Sequence, residues 1–292
     1  MSAAGAGGPT VRLADFPAGP RPGNLLHEVF EQIDFTRADP AELPDTVAAT
    51  LRRYDFSAAH AAALTDAIDA VLETGLPVGR GEVVRLCDVP RSARMSELEF
   101  MLPVGDGDRG DGSSFGSGGG GNGGGAISGE ALRPAELARV LEAQGAPKAS
   151  PTYARSLAAL GFTPLRGFLR GFVDLVFEHG GRWYVVDYKS NFLGMHAADY
   201  GQTALADAMA HHDYYLQAYL YTVAVQRYLR MRVPGYTYAS FGGVLYLFVR
   251  GIAPAHDRGT GVYFERPSEA LVEALDDAVA GRSPQAGPGG AR

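Results

Sequence analysis

The sequence predicts an α/β protein in which a central sheet is flanked by helices. Stretches with the apolar spacing of helices recur along the chain, and between them lie runs with the alternation or apolar composition of strands. Helical patterns cover 23–35, 45–54, 57–74, 132–145, 150–161, 196–210 and 212–231, and strand patterns cover 94–104, 166–178, 182–189 and 240–251. Because three helical patterns precede the first strand, we expect an N-terminal helical segment.

The early elements have clear local signals. In GNLLHEVFEQIDF (23–35) the apolar residues stand at 25, 26, 29, 30 and 33, and Asn24 is a suitable N-cap. Gly75 and Pro77 close the helix predicted at 57–74. The segment RMSELEFMLPV (94–104) alternates as a strand does, with Glu97 and Glu99 on one face and apolar residues on the other.

The later elements complete the predicted domain. Pro134 suits the first turn of the helix at 132–145, and SFGGVLYLFVRG (240–251) is expected to be the last strand. We divide the chain into a leader (1–22), a domain (23–252) and a partly disordered tail (253–292) with one weak helix. Within the domain, the low-complexity stretch 105–125 is expected to be a flexible glycine-rich insertion.

Composition excludes several classes of protein. The N-terminus lacks the pattern of a signal peptide and no apolar run is long enough for a membrane helix, so a cytoplasmic protein without membrane association is expected. A single cysteine, Cys87, excludes a disulfide framework, a cysteine zinc site and a four-cysteine iron–sulfur cluster. The net charge of −7 argues against binding nucleic acid over the whole surface, so such binding would need a local patch or a partner.

One short segment carries an unusual pair of charges. In VVDYKSN (185–191), Asp187 and Lys189 stand two positions apart, and Lys189 is one of only two lysines among 26 basic residues, the other being Lys148. A bare Asp-x-Lys at a strand end is more often a solvated surface pair of little energetic value. The surrounding strands therefore decide whether the pair has a function.

A predicted hairpin brings a second acid to this pair. Gly180-Gly181 suits the positive φ angles of a tight turn, and with that turn Asp174 lies opposite Asp187, with β-carbons roughly 5 Å apart. Lys189 lies on the same face, about 7 Å along the strand. Two facing carboxylates need a cation or a proton between them, which predicts a site for Mg²⁺ or Mn²⁺ rather than zinc. The alternative is that Lys189 neutralises the acids without a metal, and a turn of different length would separate the acids.

For three further residues, the local sequence alone does not indicate a function. Gln217 and Tyr221 are four apart, hence on one face of the helix at 212–231. His27 lies on the first helix. Each is, by itself, more typical of ordinary packing.

Taken together in their order, these segments resemble the C-terminal nuclease domain of the RecB-type beta subunit of exodeoxyribonuclease V, within the PD-(D/E)xK nuclease superfamily. The resemblance extends over about residues 16–252, apart from the glycine-rich insertion. The matching segments are FPAGPRPGNLLHEVFEQIDF, SELEFMLP, GFVDLVF, VVDYKSNFLG, YYLQAYLY and FGGVLYLFVRG.

The resemblance implies a fold and a set of site residues. The fold would be restriction-endonuclease-like, with a mixed central sheet. Asp174 and Asp187 would bind Mg²⁺, helped by His27 and the backbone carbonyl of Tyr188, and Lys189 would activate water or stabilise charge on the phosphate. Glu97 matches the upstream acid of the family, although Glu99 shares its face, and the choice between them stays open. Gln217 and Tyr221 match a motif that positions DNA.

The resemblance also implies an activity and partners. The chain would be an Mg²⁺-dependent deoxyribonuclease, an exonuclease with single-strand endonuclease activity as a second option, acting in DNA end processing and recombinational repair. Its partners would be DNA and the helicase and accessory subunits of a RecBCD-type complex. The sequence has no G-x-x-x-x-G-K-[ST] phosphate loop, so no ATP site of that kind is expected. The alternative is a catalytically idle docking module for helicase or recombinase partners.

Overall fold

The computed structural model describes residues 9–105, 131–146, 148, 151–160 and 167–282. The predicted glycine-rich insertion, apart from Gly105, lies outside the described residues. So do the first eight residues of the predicted leader and residues 283–292 of the predicted tail.

The helices of the described residues agree with the predicted patterns to within a few positions. They are α1 (Pro20–Gln32), α2 (Glu42–Arg53), α3 (Ala61–Glu73), α4 (Pro134–Gln144), α5 (Pro151–Ala158), α6 (Gln202–His211), α7 (Tyr214–Arg232) and α8 (Glu269–Val279). No helix of this part of the chain is both long and apolar enough to cross a membrane.

The strands form one small and one large sheet. They are β1 (Leu76–Pro77), β2 (Val83–Val84), β3 (Arg94–Val104), β4 (Gly167–His179), β5 (Arg182–Lys189), β6 (Phe241–Phe248) and β7 (Val262–Glu265). The large sheet has the order β3-β4-β5-β6-β7. Neighbouring strands are antiparallel except β5 and β6, which are parallel. The crossover between these two contains α6 and α7, as a parallel connection requires, and the sheet is therefore mixed, as predicted.

The large sheet lies between two hydrophobic cores. One core combines one face of the sheet with side chains of α1, α2 and α3, and the other combines the opposite face with α4 to α8. Consecutive residues of β5 show this division, since Val185 belongs to the second core and Val186 to the first. The middle of the sheet is thus covered on both faces, which is the arrangement of an α/β protein, whereas one face of β3 and β4 is exposed at Met101, Phe168 and Phe172.

The chain on either side of residues 23–252 packs against the domain. β7 forms an edge of the sheet beside β6, a neighbour that the sequence patterns did not predict. Every residue of β6 is buried, and a strand buried on both faces lies in the interior of a sheet, where it needs a neighbour at each edge. Before α1, Leu13 and Phe16 are buried, and the guanidinium of Arg250 donates to carbonyls of that segment, including that of Pro17 at 2.6 Å.

Candidate active site

The turn between β4 and β5 has the predicted register. Gly180 and Gly181 both have positive φ, 59° and 76°, and the ladder pairs run from His179 with Arg182 to Leu175 with Val186. The next opposed positions are Asp174 and Asp187. The ladder ends before them, because the backbone N–H of Tyr188 donates to Asp174 Oδ2 at 2.8 Å instead of to a carbonyl. The two strands therefore separate at the point where the acids lie.

The neighbouring strand contributes Glu97 rather than Glu99. β3 pairs with β4 on both sides of Glu97, through Ser96 with Leu175 and Leu98 with Val173, which puts Glu97 opposite Asp174. Glu97 itself has a φ of 53°, a left-handed conformation that is rare for such a residue within a strand. Glu99 lies farther along and forms an exposed ion pair with Arg170 at 2.5 Å.

Helix α1 places His27 over the end of the hairpin. Phe30, one turn later on the same helix, stacks on the ring of Tyr188, with centroids 4.1 Å apart and planes 5° from parallel. His27 Nε2 donates to the backbone carbonyl of Tyr188 at 2.8 Å, and His27 Nδ1 lies 3.3 Å from Asp174 Oδ1. Burial lowers the pKa of His27, but the hydrogen bond and charge of Asp174 outweigh burial and leave the pKa raised. The imidazole ring of His27 therefore lies between the carbonyl oxygen of Tyr188 and a carboxylate oxygen of Asp174.

These contacts form a candidate metal site rich in acids. One ligand atom each from His27, Glu97 and Asp174 lies within 4.8 Å of the other two. Two carboxylates, an imidazole and a nearby carbonyl form a donor set rich in hard oxygen, which suits Mg²⁺ or Mn²⁺. The pKa of Glu97 is raised, by burial first and by the charge of Asp174 second. Carboxylates that repel one another favour a cation between them, so the residues present fit a divalent metal.

Asp187 lies beside this group, next to Lys189. The Lys189 ammonium is 2.6 Å from Asp187 Oδ2, and the two side chains are 11% and 2% exposed. This close approach is an ion pair without hydrogen-bond geometry. Burial, and next the charge of Asp174, raise the pKa of Asp187, and Lys189 offsets only part of this effect. The site therefore favours an added positive charge near these acids.

Lys189 is held in place by groups from α7 and β6. Its ammonium donates to Gln217 Oε1 at 3.0 Å, and Gln217 Nε2 donates to the hydroxyl of Tyr221 at 2.8 Å. The ammonium also lies 3.9 Å from the ring centroid of Tyr214 and 5.2 Å from that of Tyr246. The hydroxyl of Tyr246 donates to Gln217 Oε1 at 3.1 Å.

The structure thus brings the residues predicted from sequence to one region, and it adds two that sequence reasoning missed. These two are Tyr214 and Tyr246, which provide the aromatic surroundings of Lys189. Tyr214 stands three positions before Gln217 on one helix face, a spacing that could have indicated it. Tyr246 has no comparable local signal, because β6 is apolar on both faces.

The backbone at Glu97 gives a prediction about stability. Glycine adopts positive φ without a steric cost, whereas alanine does not. We therefore expect Glu97→Gly to have a higher free energy of unfolding than Glu97→Ala, by about 1 kcal/mol, measured by urea denaturation. At Glu99, where the strand is regular, we expect the opposite order for the same pair of substitutions. A glycine variant less stable than the alanine variant at position 97 would contradict the assigned conformation.

Comparison with known proteins agrees with this fold. Residues 9–286 match the family model described as the PD-(D/E)XK nuclease superfamily. A mixed five-stranded sheet covered by helices on both faces, with acids and a lysine at the separating ends of β4 and β5, is consistent with that class. The chain belongs to the PD-(D/E)XK nuclease superfamily.

Similar curated proteins include RecBCD enzyme subunits named RecB. The subunit from Escherichia coli (strain K12) is 36% identical over 274 residues, which is 94% of this chain and 20% of that protein. The subunit from Mycobacterium tuberculosis (strain ATCC 25618 / H37Rv) is 38% identical over 280 residues, or 92% of this chain and 24% of that protein. The chain thus spans about a fifth to a quarter of these relatives, and the similarity fits the C-terminal nuclease domain of RecB.

Proposed function

We propose that this chain is a divalent-metal-dependent DNA nuclease, an exonuclease of the exodeoxyribonuclease V beta type that acts in DNA end processing and recombinational repair. Single-strand endonuclease activity is a second option for the same site. The metal would be Mg²⁺, with Mn²⁺ also suitable for a donor set that includes an imidazole. The chain belongs to a nuclease family, and beyond that membership we propose its metal, its DNA substrate and its role in repair.

One observation carries this proposal: ligand atoms of His27, Glu97 and Asp174 lie within 4.8 Å of one another, beside the buried Asp187–Lys189 pair. The carboxylates of Glu97, Asp174 and Asp187 repel one another, and Lys189 offsets only part of this repulsion at Asp187. A docking surface would have no use for such a cluster. The alternative of an idle docking module is therefore disfavoured.

The residues of the site suit hydrolysis of a phosphodiester. His27, Glu97, Asp174 and the carbonyl of Tyr188 would hold the metal together with Asp187. A metal bound there would polarise the scissile phosphate and make a bound water more acidic. Attack of a water molecule on phosphorus would break the bond to the 3′ oxygen, leaving a 5′-phosphate on one product and a 3′-hydroxyl on the other.

Lys189 has a separate task in this proposal. Its ammonium would hold the attacking water or stabilise negative charge that develops on the phosphoryl oxygens. Gln217 accepts a hydrogen bond from the ammonium at 3.0 Å, and the ring of Tyr214 lies 3.9 Å away. These contacts restrict Lys189 to one orientation, and the low exposure of its side chain reduces competition from bulk water.

A partner would deliver the DNA. The relatives are subunits of the RecBCD enzyme and are four to five times longer than the matching region. The net charge of −7 agrees with this proposal, because a chain of this charge has little long-range attraction for a polyanion. Helicase and accessory subunits of a RecBCD-type complex are the partners that we propose.

A cleavage experiment tests the proposed function. We expect the purified chain to degrade end-labelled single-stranded DNA in Mg²⁺ or Mn²⁺ and to be inactive in EDTA, and gel analysis of the products reports the 5′-phosphate. Activity that appears only after a helicase partner is added would support a nuclease that depends on delivery. Cleavage that persists in EDTA would contradict the metal site.

A further inference from the structure

The exposed face of β3 and β4 carries large apolar side chains. On β4, Phe168 is 69% exposed and Phe172 is 42% exposed, and on β3 Met101 is 57% exposed. The next residue after Phe172 points to the other face of the sheet, where Val173 is fully buried. Large parts of both phenylalanine rings are thus exposed, although phenylalanine is among the residues most often buried.

This exposed face leads directly to the candidate active site. Successive side chains of a strand alternate between its two faces, so Phe168, Arg170 and Phe172 share a face with Asp174. Alternate positions on a strand are about 6.6 Å apart, which places these three side chains at roughly 7 to 20 Å from Asp174 along β4. A polymer held at Asp174 by one phosphate and running along β4 would pass over them in order.

The chemistry of this face fits single-stranded nucleic acid. The guanidinium of Arg170 lies 5.4 Å from the ring centroid of Phe172 and forms the ion pair with Glu99. Aromatic rings combined with an arginine bind single strands by stacking with the bases, in a way that tolerates any sequence. Because Glu99 neutralises much of the charge of Arg170, stacking rather than phosphate attraction would supply the affinity.

We propose that the exposed face of β4 formed by Phe168, Arg170 and Phe172 is a base-stacking platform for the single strand whose phosphate lies at the active site. The proposal rests on the proposed function, because only a nuclease needs substrate there. It also predicts selectivity, since the bases of a duplex are already stacked within the helix and gain nothing from the rings. The platform would thus favour single-stranded over double-stranded DNA.

Binding without cleavage tests the platform. Fluorescence anisotropy of fluorescein-labelled (dT)20 in EDTA would report the dissociation constants of the full chain and its variants. We expect Phe168→Leu and Phe172→Leu each to weaken binding on the order of tenfold, because leucine keeps the apolar surface but removes the stacking ring. Phe172→Trp should retain or tighten binding, and a labelled duplex of equal length should bind weakly to all variants.

A matched control lies far from the site. Met231 is 77% exposed at the end of α7, and Met231→Leu should leave (dT)20 binding unchanged. Binding of (dT)20 by the Phe168→Leu, Phe172→Leu double variant as tight as that of the unchanged chain would overturn the platform. Failure of the unchanged chain to bind (dT)20 at all would also overturn it.

The same oligonucleotide separates this inference from the proposed function. If Mg²⁺ produces no cleavage but the leucine variants still lose binding, the platform stands and the proposed nuclease activity fails. If Mg²⁺ produces cleavage whose KM is unchanged in the double variant, the nuclease stands and the platform fails. In that second case the exposed rings would instead form a contact surface for a protein partner.

Discussion

Replacing Asp187 with asparagine is expected to reduce Mg²⁺-dependent cleavage of single-stranded DNA by about a thousandfold or more, a loss typical of removing a group that holds a catalytic charge. Asparagine keeps the shape of the side chain but removes the negative charge that lies between Asp174 and Lys189. Asp187 is 2% exposed, so bulk water has little access to the place of its carboxylate. Initial rates on an end-labelled oligonucleotide would measure the loss.

The same variant should also lose its response to metal. A ligand that binds only the folded chain raises the melting temperature, so we expect Mg²⁺ to raise that of the unchanged chain relative to EDTA. For Asp187→Asn we expect little or no rise. Asp88→Asn is a suitable control, because Asp88 forms an exposed ion pair with Arg85 outside the site. Full activity of Asp187→Asn would contradict the role proposed for this acid.

Replacing Lys189 with methionine is expected to separate catalysis from metal binding. The ammonium is not a metal ligand, so its loss should reduce cleavage by about 10²- to 10⁴-fold through missing stabilisation of charge and missing orientation of water. Removing a positive charge beside Asp187 should leave metal binding intact or strengthen it. We therefore expect the melting temperature of Lys189→Met to rise with Mg²⁺ at least as much as that of the unchanged chain.

The other lysine of the chain provides the matched control. Lys148 donates to the backbone carbonyl of Phe264 at 2.5 Å, beside the edge strand β7. Lys148→Met removes the same charge from a position outside the site, and we expect it to keep cleavage within a fewfold of the unchanged rate. A loss of the Mg²⁺ response in Lys189→Met would instead show that Lys189 maintains the geometry of the metal ligands.

The sequence alone was sufficient for most helices, for β3 to β6 and for the hairpin. The periods of apolar residues located the helices and β3 to β6, because these periods depend only on neighbours along the chain. The Gly180-Gly181 turn fixed the pairing of β4 with β5 for the same reason, since a two-residue turn leaves one register. Asp174, Asp187 and Lys189 could therefore be placed near one another before any tertiary contact was known.

The edges of the fold were harder to predict. β7 has only four residues, too few for a reliable alternating pattern, and its place beside β6 depends on the need of a buried strand for a second neighbour. The segment before α1 is held by the carbonyl contacts of Arg250, which join residues more than 230 positions apart. Pairings of this kind have no local signature.

Only the tertiary structure decided how the remaining site residues meet. His27 reaches Asp174 because Phe30 stacks on Tyr188 and orients α1, and a local pattern contains no information about how a helix docks. Glu97 and Glu99 lie on the same face of the predicted strand, so the alternation of residues does not distinguish them. The positive φ of Glu97 and the ion pair of Glu99 do. The sequence determined which charges lie on the hairpin, and packing between distant elements decided which groups surround them.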